Sequence, residues 1–523
     1  MALMRGVAAF RRAVARLDAP PAPKGIYLRS RWYAARYTPR PPSAGFLVAL
    51  VVLAGAYFIQ RGDSWNADSH LFLTASIVDR GSLTIDPFMT GQHLTGDVAA
   101  YNGHFYSDKA PGLSLLAVPV YALLKLTLLG GQPYAAQYAL PAAQQTGFLV
   151  RYLLAVVFAA VPTALLAVML YRFLPRLGVA EKWCAAVALV YALGTFARPF
   201  AGEFFSHQLT AALIFGAFVL LYRLRHGELG ARAALLAGLL AGYAVITEYP
   251  VALLVAALGL YVLTMPKDGR RAAVALVAGA LPPLLVGAVY NTLAFGGPLS
   301  QGYAHLAGPD QFRQGQALGF MGITYPHLDA LWQTTLGPYR GIFLLSPVLL
   351  LAVPGFMRLW RLAGWRAEAA LWLGMLLVYG LFTISYFAWE GGFSMGPREF
   401  LPALPFLVLP IGALLRPDAH PRWKTAFLAL GAVSVVVVEL ATAAGPLVDP
   451  KFASPLTDWA LPRLLAGHLD NNWGMLFGLP GVLQLLPFCA LAAFILWRHW
   501  RPSGRRATVP AGGEPGGVVA ETR

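Results

Sequence analysis

The sequence predicts an all-α polytopic membrane protein, with about twelve transmembrane helices and interfacial helices in a large first extracytoplasmic loop. Three observations carry this. Hydrophobic residues make up 58% of the 523 and charged ones only 12%, with a mean hydropathy of +0.59; a water-facing domain needs more charge than that. Apolar stretches of about twenty residues, enough to cross a bilayer, recur along the whole chain. Finally, every second connection between them is rich in Lys and Arg, the pattern that marks the cytoplasmic side.

Taken in order, residues 1–44 form a basic cytoplasmic segment. Leu3, Val7, Phe10, Val14 and Leu17 share one helical face, with Arg5, Arg12 and Arg16 opposite, as in a helix lying on an anionic leaflet. A frayed basic tail is the equally ready alternative. The membrane domain, 45–498, has expected spans at 45–60, 149–172, 183–198, 206–222, 232–247, 250–265, 272–294, 341–357, 367–388, 399–416, 425–443 and 475–498. Residues 499–523 read as a disordered cytoplasmic tail. Basic clusters at Arg172–Lys182, Arg223–Arg232, Lys267–Arg271, Arg358–Arg366 and Arg416–Lys424 put both termini inside. Counting 113–129 as a crossing would turn the Arg172–Lys182 connection outward, so this stretch reads as an interfacial or dipping helix. The net charge of +16 lies in these connections, which argues for a bilayer partner and against nucleic acid. Cys184 and Cys489 sit in or beside apolar spans and give no disulfide or metal framework. Heavy use of Ala, Gly, Arg and Pro suggests a bacterial chain, hence the inner (plasma) membrane.

The connections on the other face are 61–148, 199–205, the turn at Glu248, 295–340, 389–398 and 444–474. They hold Asp63, Asp68, Asp108, Lys109, Glu203, His207, Glu248, His305, Glu390, Arg398, Asp470 and Asn471, and ionisable groups near a bilayer boundary point to function. The long first loop, 61–148, carries Trp65, Phe72, Ile77, Phe88 and Tyr106, more apolar surface than a solvated linker has. It reads as a folded active-site loop. Asp68 opens an amphipathic stretch with Leu71, Ala75 and Val78 on one stripe and Gly81 as a stop, so it is either a helix cap or a free carboxylate. Asp63, at the membrane exit, either solvates that exit or binds substrate.

The run HFYSDKAPG places His104, Tyr106, Asp108 and Lys109 together. A compact ammonium at the surface suits a lipid phosphate, and a snorkelling anchor is the plainer reading. In WEGGFSMGPRE, two glycines permit close backbone approach, and Arg398 can grip a phosphate with two prongs. Its plainer role is an ion pair with Glu390 or Glu399 that pins the loop. His70, His93 and His104 lack metal-ligand spacing, and no HExxH, phosphate-binding nucleotide loop, dinucleotide fingerprint or GxSxG elbow occurs. A divalent cation stays an open question on these residues.

The order of NADSHLFLTASIVDRGSLTID, YSDKAPG and REFLPALP along the chain resembles the GT-C glycosyltransferases. The likeness is to the polyprenyl-phosphate-dependent branch that includes protein O-mannosyltransferases and the aminoarabinose transferases of lipid A. The chain departs from that pattern in having Asp68–Ser69 for an Asp–Glu pair and Lys109–Ala110–Pro111 for Lys–Pro. The resemblance implies a sugar carried on a polyprenyl phosphate and moved, with inversion, to an extracytoplasmic acceptor: envelope glycan, lipid or protein. Asp68 would take the acceptor's proton. Asp108, Lys109, Arg398, Glu390, Asp63, Tyr106 and His104 would bind substrate, the cations steadying the leaving phosphate. The competing reading is a transporter or lipid flippase. Against it, the polar groups gather in loops on one face, whereas carriers place them at the midplane.

Overall fold

The computed structural model describes residues 44–59, 64–90, 95–141, 144–265 and 268–500. The expected N-terminal helix, Asp63, His93 and the tail from residue 501 lie outside them. Among the described residues the regular structure is helical apart from one two-stranded hairpin. Five helices are long and apolar enough to cross a membrane: Gly147–Leu177, His207–Arg225, Gly269–Phe295, Arg366–Ser385 and Arg422–Ala444. Shorter apolar helices run over Gly45–Tyr57, Gly112–Leu128, Arg232–Thr247, Tyr249–Leu263 and Gly481–Trp497. The outer surface of the Gly269–Phe295 helix exposes Val274, Val277 and Leu293 by 67–70%, surface that only lipid or another apolar partner can cover. The protein is therefore a multi-pass helical membrane protein.

The expected span 183–198 stops at Leu193 and resumes as Ala197–Phe200, and three others are divided further. Residues 341–357 divide into Ile342–Leu345, Pro347–Leu351 and Ala352–Arg361; residues 399–416 into Arg398–Ala403, Leu404–Val408 and Ile411–Leu414; and 475–498 into Trp473–Leu476, Gly481–Leu485 and Leu486–Trp500. Within these three, all breaks but the one at Leu351–Ala352 fall at or beside a proline: Pro347, Pro402, Pro405, Pro410, Pro480 and Pro487. A proline lacks the amide hydrogen and crowds the preceding turn, so the chain tightens or restarts there. Twelve continuous spans are thus not what the described residues contain.

Close helix contact elsewhere depends on missing side chains. A methyl group on Gly238 would meet the Leu276 carbonyl, and one on Gly279 the Leu235 carbonyl. The Arg232–Thr247 and Gly269–Phe295 helices can approach this closely only because both positions are bare.

The first loop is folded, as expected. The Trp65–Arg80 helix buries both its apolar and its polar residues, from Asn66 through Ser76. It stops at Gly81, whose φ of 64° lets its N–H return to the Ile77 carbonyl. The Gly112–Leu128 helix packs against it. Between them lies an antiparallel hairpin, Val98–Tyr101 with His104–Ser107. Its turn is Asn102–Gly103, both at positive φ, the residue pair this turn favours. The hairpin is fastened to the 300–308 segment by the Ala307 N–H on the Val98 carbonyl at 2.9 Å.

Candidate active site

One cavity of about 900 Å³ opens where the connections of this face meet. Its wall includes Asp97, Asp108, Lys109, His207, Glu248, Arg398, Glu399, Arg463, Asp470 and Asn471, with aromatic and aliphatic residues such as Phe312, Phe320, Phe382 and Tyr386. Seven of the residues singled out on this face (Asp108, Lys109, His207, Glu248, Arg398, Asp470 and Asn471) thus share one wall. The charged floor and apolar flank suit an amphiphile: an ionised head with a hydrocarbon tail.

The hairpin delivers Asp108 and Lys109. The Ser107 hydroxyl lies 2.8 Å from that of Ser69, which donates to Asp108 Oδ1 at 3.3 Å. Lys109 Nζ sits 3.1 Å from Asp108 Oδ2 and 2.9 Å from Asp97 Oδ2, over the ring of Tyr303. Burial pushes the Asp108 carboxyl up to about 6, with Lys109 opposing and Asp97 adding to the rise. Burial also disfavours the charged lysine, but Asp108 and Asp97 outweigh it and hold the ammonium above its ordinary value. Arg398 works against that rise and lines the same cavity.

Arg398 follows a bend made by Gly391 and Gly392, at φ of 71° and 61°. Its guanidinium lies over the Phe205 ring, 5.1 Å from the centroid, and Nε is 3.4 Å from Glu399. Arg340, fully buried, braces that bend by donating to the carbonyls of Glu390 and Gly392 at 3.1 and 3.0 Å.

Glu248 ends the Arg232–Thr247 helix and receives the Ser206 hydroxyl; His207 Nδ1 is 3.0 Å from its carboxylate. Burial works against the Glu248 anion, yet His207 and Ser206 prevail and hold it below the usual range. Ligand atoms of His207, Glu248 and Glu399 lie within 4.8 Å of one another. His207 Nε2 is buried with no hydrogen-bond partner among the described residues. One imidazole and two carboxylates form a donor set a divalent cation accepts.

The structure places the other residues singled out in the sequence as follows. Asp68, expected as the base, is not in the cavity wall: Oδ1 pairs with Arg151 Nη2 at 2.5 Å and Oδ2 accepts the Ser64 N–H at 3.1 Å. The helix begins three residues earlier than expected, at Trp65, so this carboxylate reaches back to its own N-terminus as a cap does. His104 stands at the exposed hairpin end, paired with Asp86 at 2.8 Å. Tyr106 turns into the core against Phe295. Glu390 lies outside the cavity wall, with burial raising its carboxyl, and the expected Arg398 partner is Glu399. His70 is a core histidine: burial depresses it to about 3, and it meets Ser114 at 3.2 Å. Asp97, Tyr303 and Arg463 were missed, and Glu399 was foreseen only as a loop-pinning partner of Arg398. The Asn–Gly turn signal could have revealed the hairpin that brings Asp97 beside Lys109.

No protein-family model and no curated protein matches the sequence. Among solved structures, the chain is similar to an oligosaccharyltransferase, AglB, from Archaeoglobus fulgidus, solved with an inhibitory peptide and a dolichol-phosphate. That match has 13% identity, a TM-score of 0.44, and covers 77% of this chain and 56% of that one. It is also similar to ArnT from Cupriavidus metallidurans. The apo state gives 13% identity, a TM-score of 0.45 and coverage of 86% and 74%; the form bound to undecaprenyl phosphate gives 13%, 0.41, 90% and 76%. The chain spans about half the length of AglB. These are loose likenesses, and what the chain does is decided by its own residues.

Proposed function

We propose that the protein is a GT-C-type glycosyltransferase that moves a sugar from a polyprenyl-phosphate carrier to the hydroxyl of an extracytoplasmic acceptor in a bacterial inner membrane. The observation that carries this reading is the convergence of Lys109 and Arg398, two cations from distant parts of the chain, on one cavity with an apolar flank. Lipid phosphate fits such a wall.

In the reaction, the acceptor oxygen attacks the anomeric carbon as the bond from that carbon to the phosphate oxygen breaks. The electron pair leaves with the lipid phosphate, and the anomeric centre inverts. Lys109 and Arg398 hold the charge that develops on the phosphate. The acceptor's proton passes to Asp108, the cavity carboxylate whose affinity for a proton has been drawn toward neutrality. Asp97 keeps Lys109 aimed. Asp68 is a positioning residue that ties Arg151 to the start of the helix bearing Ser69. His207, Glu248 and Glu399 fit a divalent cation, which would add positive charge for the phosphate; no step above needs it.

Incubating the purified full chain with radiolabelled polyprenyl-phosphate sugars tests this reading. Loss of label from the donor only when acceptor is present supports it. Donor left intact across hexose and pentose carriers, with labelled lipid crossing a vesicle bilayer instead, supports the flippase alternative.

A further inference from the structure

A second cavity, of about 480 Å³, lies on the opposite, arginine-rich face. Two connections that are far apart in sequence build it: the Ala352–Arg361 helix with its exit, and the 414–423 turn. They approach closely because Gly355 packs directly on the Pro410 backbone, where a side chain would collide. Three arginines, Arg358, Arg361 and Arg422, enter its wall against one carboxylate, Asp418. That carboxylate is already divided between Arg358 at 3.0 Å and Arg416 at 2.9 Å. Among the described residues Arg358 Nε is buried without a hydrogen-bond partner and exposed Arg361 has no ion pair, while Arg422 lies over the Trp423 ring. The site is thus a pocket with surplus positive charge.

Its remaining wall is apolar, including Met357, Leu414 and Trp423. The same short helix turns Val353, Met357 and Trp360 outward, 54, 63 and 40% exposed. A charged pocket beside an exposed apolar stripe matches an amphiphile at the bilayer surface. A free anion would use the arginines and leave the stripe bare. We propose that this pocket holds the phosphate headgroup of an anionic phospholipid of the adjacent leaflet, its acyl chains lying along the Val353–Trp360 stripe. Basic pockets between membrane helices on this side suit such headgroups.

The test uses the full chain in detergent, read by native mass spectrometry and thermal unfolding with phosphatidylglycerol, phosphatidylcholine or inorganic phosphate. The double variant Arg361→Gln/Arg422→Gln leaves the Arg358–Asp418 pair intact, and Arg271→Gln, exposed on the same face but outside the pocket, controls for surface charge. Wild type should retain phosphatidylglycerol and melt higher with it. The double variant should bind it about tenfold or more weakly, given roughly 1 kcal/mol per arginine near an anionic surface, while melting unchanged in phosphatidylcholine. Arg271→Gln should bind as wild type. Equal retention by the double variant, an equal loss in Arg271→Gln, or the same upward shift with inorganic phosphate would overturn the proposal. Because none of these readouts involves sugar transfer, the result stands apart from the assignment of the active site.

Discussion

Three acidic residues near the cavity have been given three different conditions. Asp108 is raised to about 6 by burial, Asp68 is bound to Arg151, and Glu203 is raised to about 8 by burial, with Asp470 adding to it. Their substitutions should therefore differ. Asp108→Asn cannot accept a proton, so turnover should fall about a hundredfold or more with folding kept, and the rise in wild-type rate through pH 6 should vanish. Asp68→Asn takes a carboxylate away from buried Arg151, so its main effect should be on stability, about 3 kcal/mol or more on thermal unfolding. An Asp68→Asn protein that melts normally but cannot turn over would return the base role to Asp68. Glu203 binds its proton more tightly folded than unfolded. Its contribution to stability therefore falls as pH rises from the ordinary carboxylate range through about 8. Glu203→Gln should flatten the decline in melting temperature between pH 5 and 8; a slope equal to wild type would show that Glu203 ionises freely in the fold.

At the scale of elements, the site depends on how tightly the hairpin meets the segment after the Gly269–Phe295 helix. A methyl group at Gly302 would come 2.7 Å from the Asp108 Cα, inside van der Waals contact, so one backbone must give way. Gly302→Ala should lower turnover by about tenfold or more, since a shift of about 1 Å at a reacting group has such consequences, while costing only about 1–3 kcal/mol in stability. Normal kinetics in this variant would mean the hairpin can slide without loss. Helices with unbroken apolar runs, such as Arg232–Thr247 and Arg366–Ser385, were readable to within a few residues, because a long apolar segment has one use in a bilayer. The runs at 341–357, 399–416 and 475–498 were not. Their hydrophobicity matched a span, but their prolines removed the hydrogen bonds that a continuous helix needs.

For the whole molecule, the readable feature was the division of charge between faces. Arginines of 358–366 and 416–424 meet at one pocket and the polar groups of the opposite connections at another. What sequence could not supply was pairing across distance. Asp68, readable as a cap or a free carboxylate, is held by Arg151, 83 positions away, and Glu399, readable as a loop-pinning partner of Arg398, lies beside His207 and Glu248. With Cys489, which is exposed, replaced by serine, a cysteine at exposed Gln314 should react with an impermeant thiol reagent applied to intact cells. One at exposed Ala363 should react only after lysis. The reverse pattern would place the large cavity on the cytoplasmic side.

The central claim is that Lys109 and Arg398 together receive the lipid phosphate, and donor kinetics of Lys109→Ala and Arg398→Lys test it most directly. Exposed Lys451→Ala, outside the cavity wall, serves as the control. Losing the ammonium, or exchanging the planar fork for a point charge, should each lower kcat/KM for the polyprenyl-phosphate donor by about 2–4 kcal/mol of transition-state stabilisation, with the control unchanged. Wild-type kcat/KM in both cavity variants, at normal expression and melting temperature, would contradict the account.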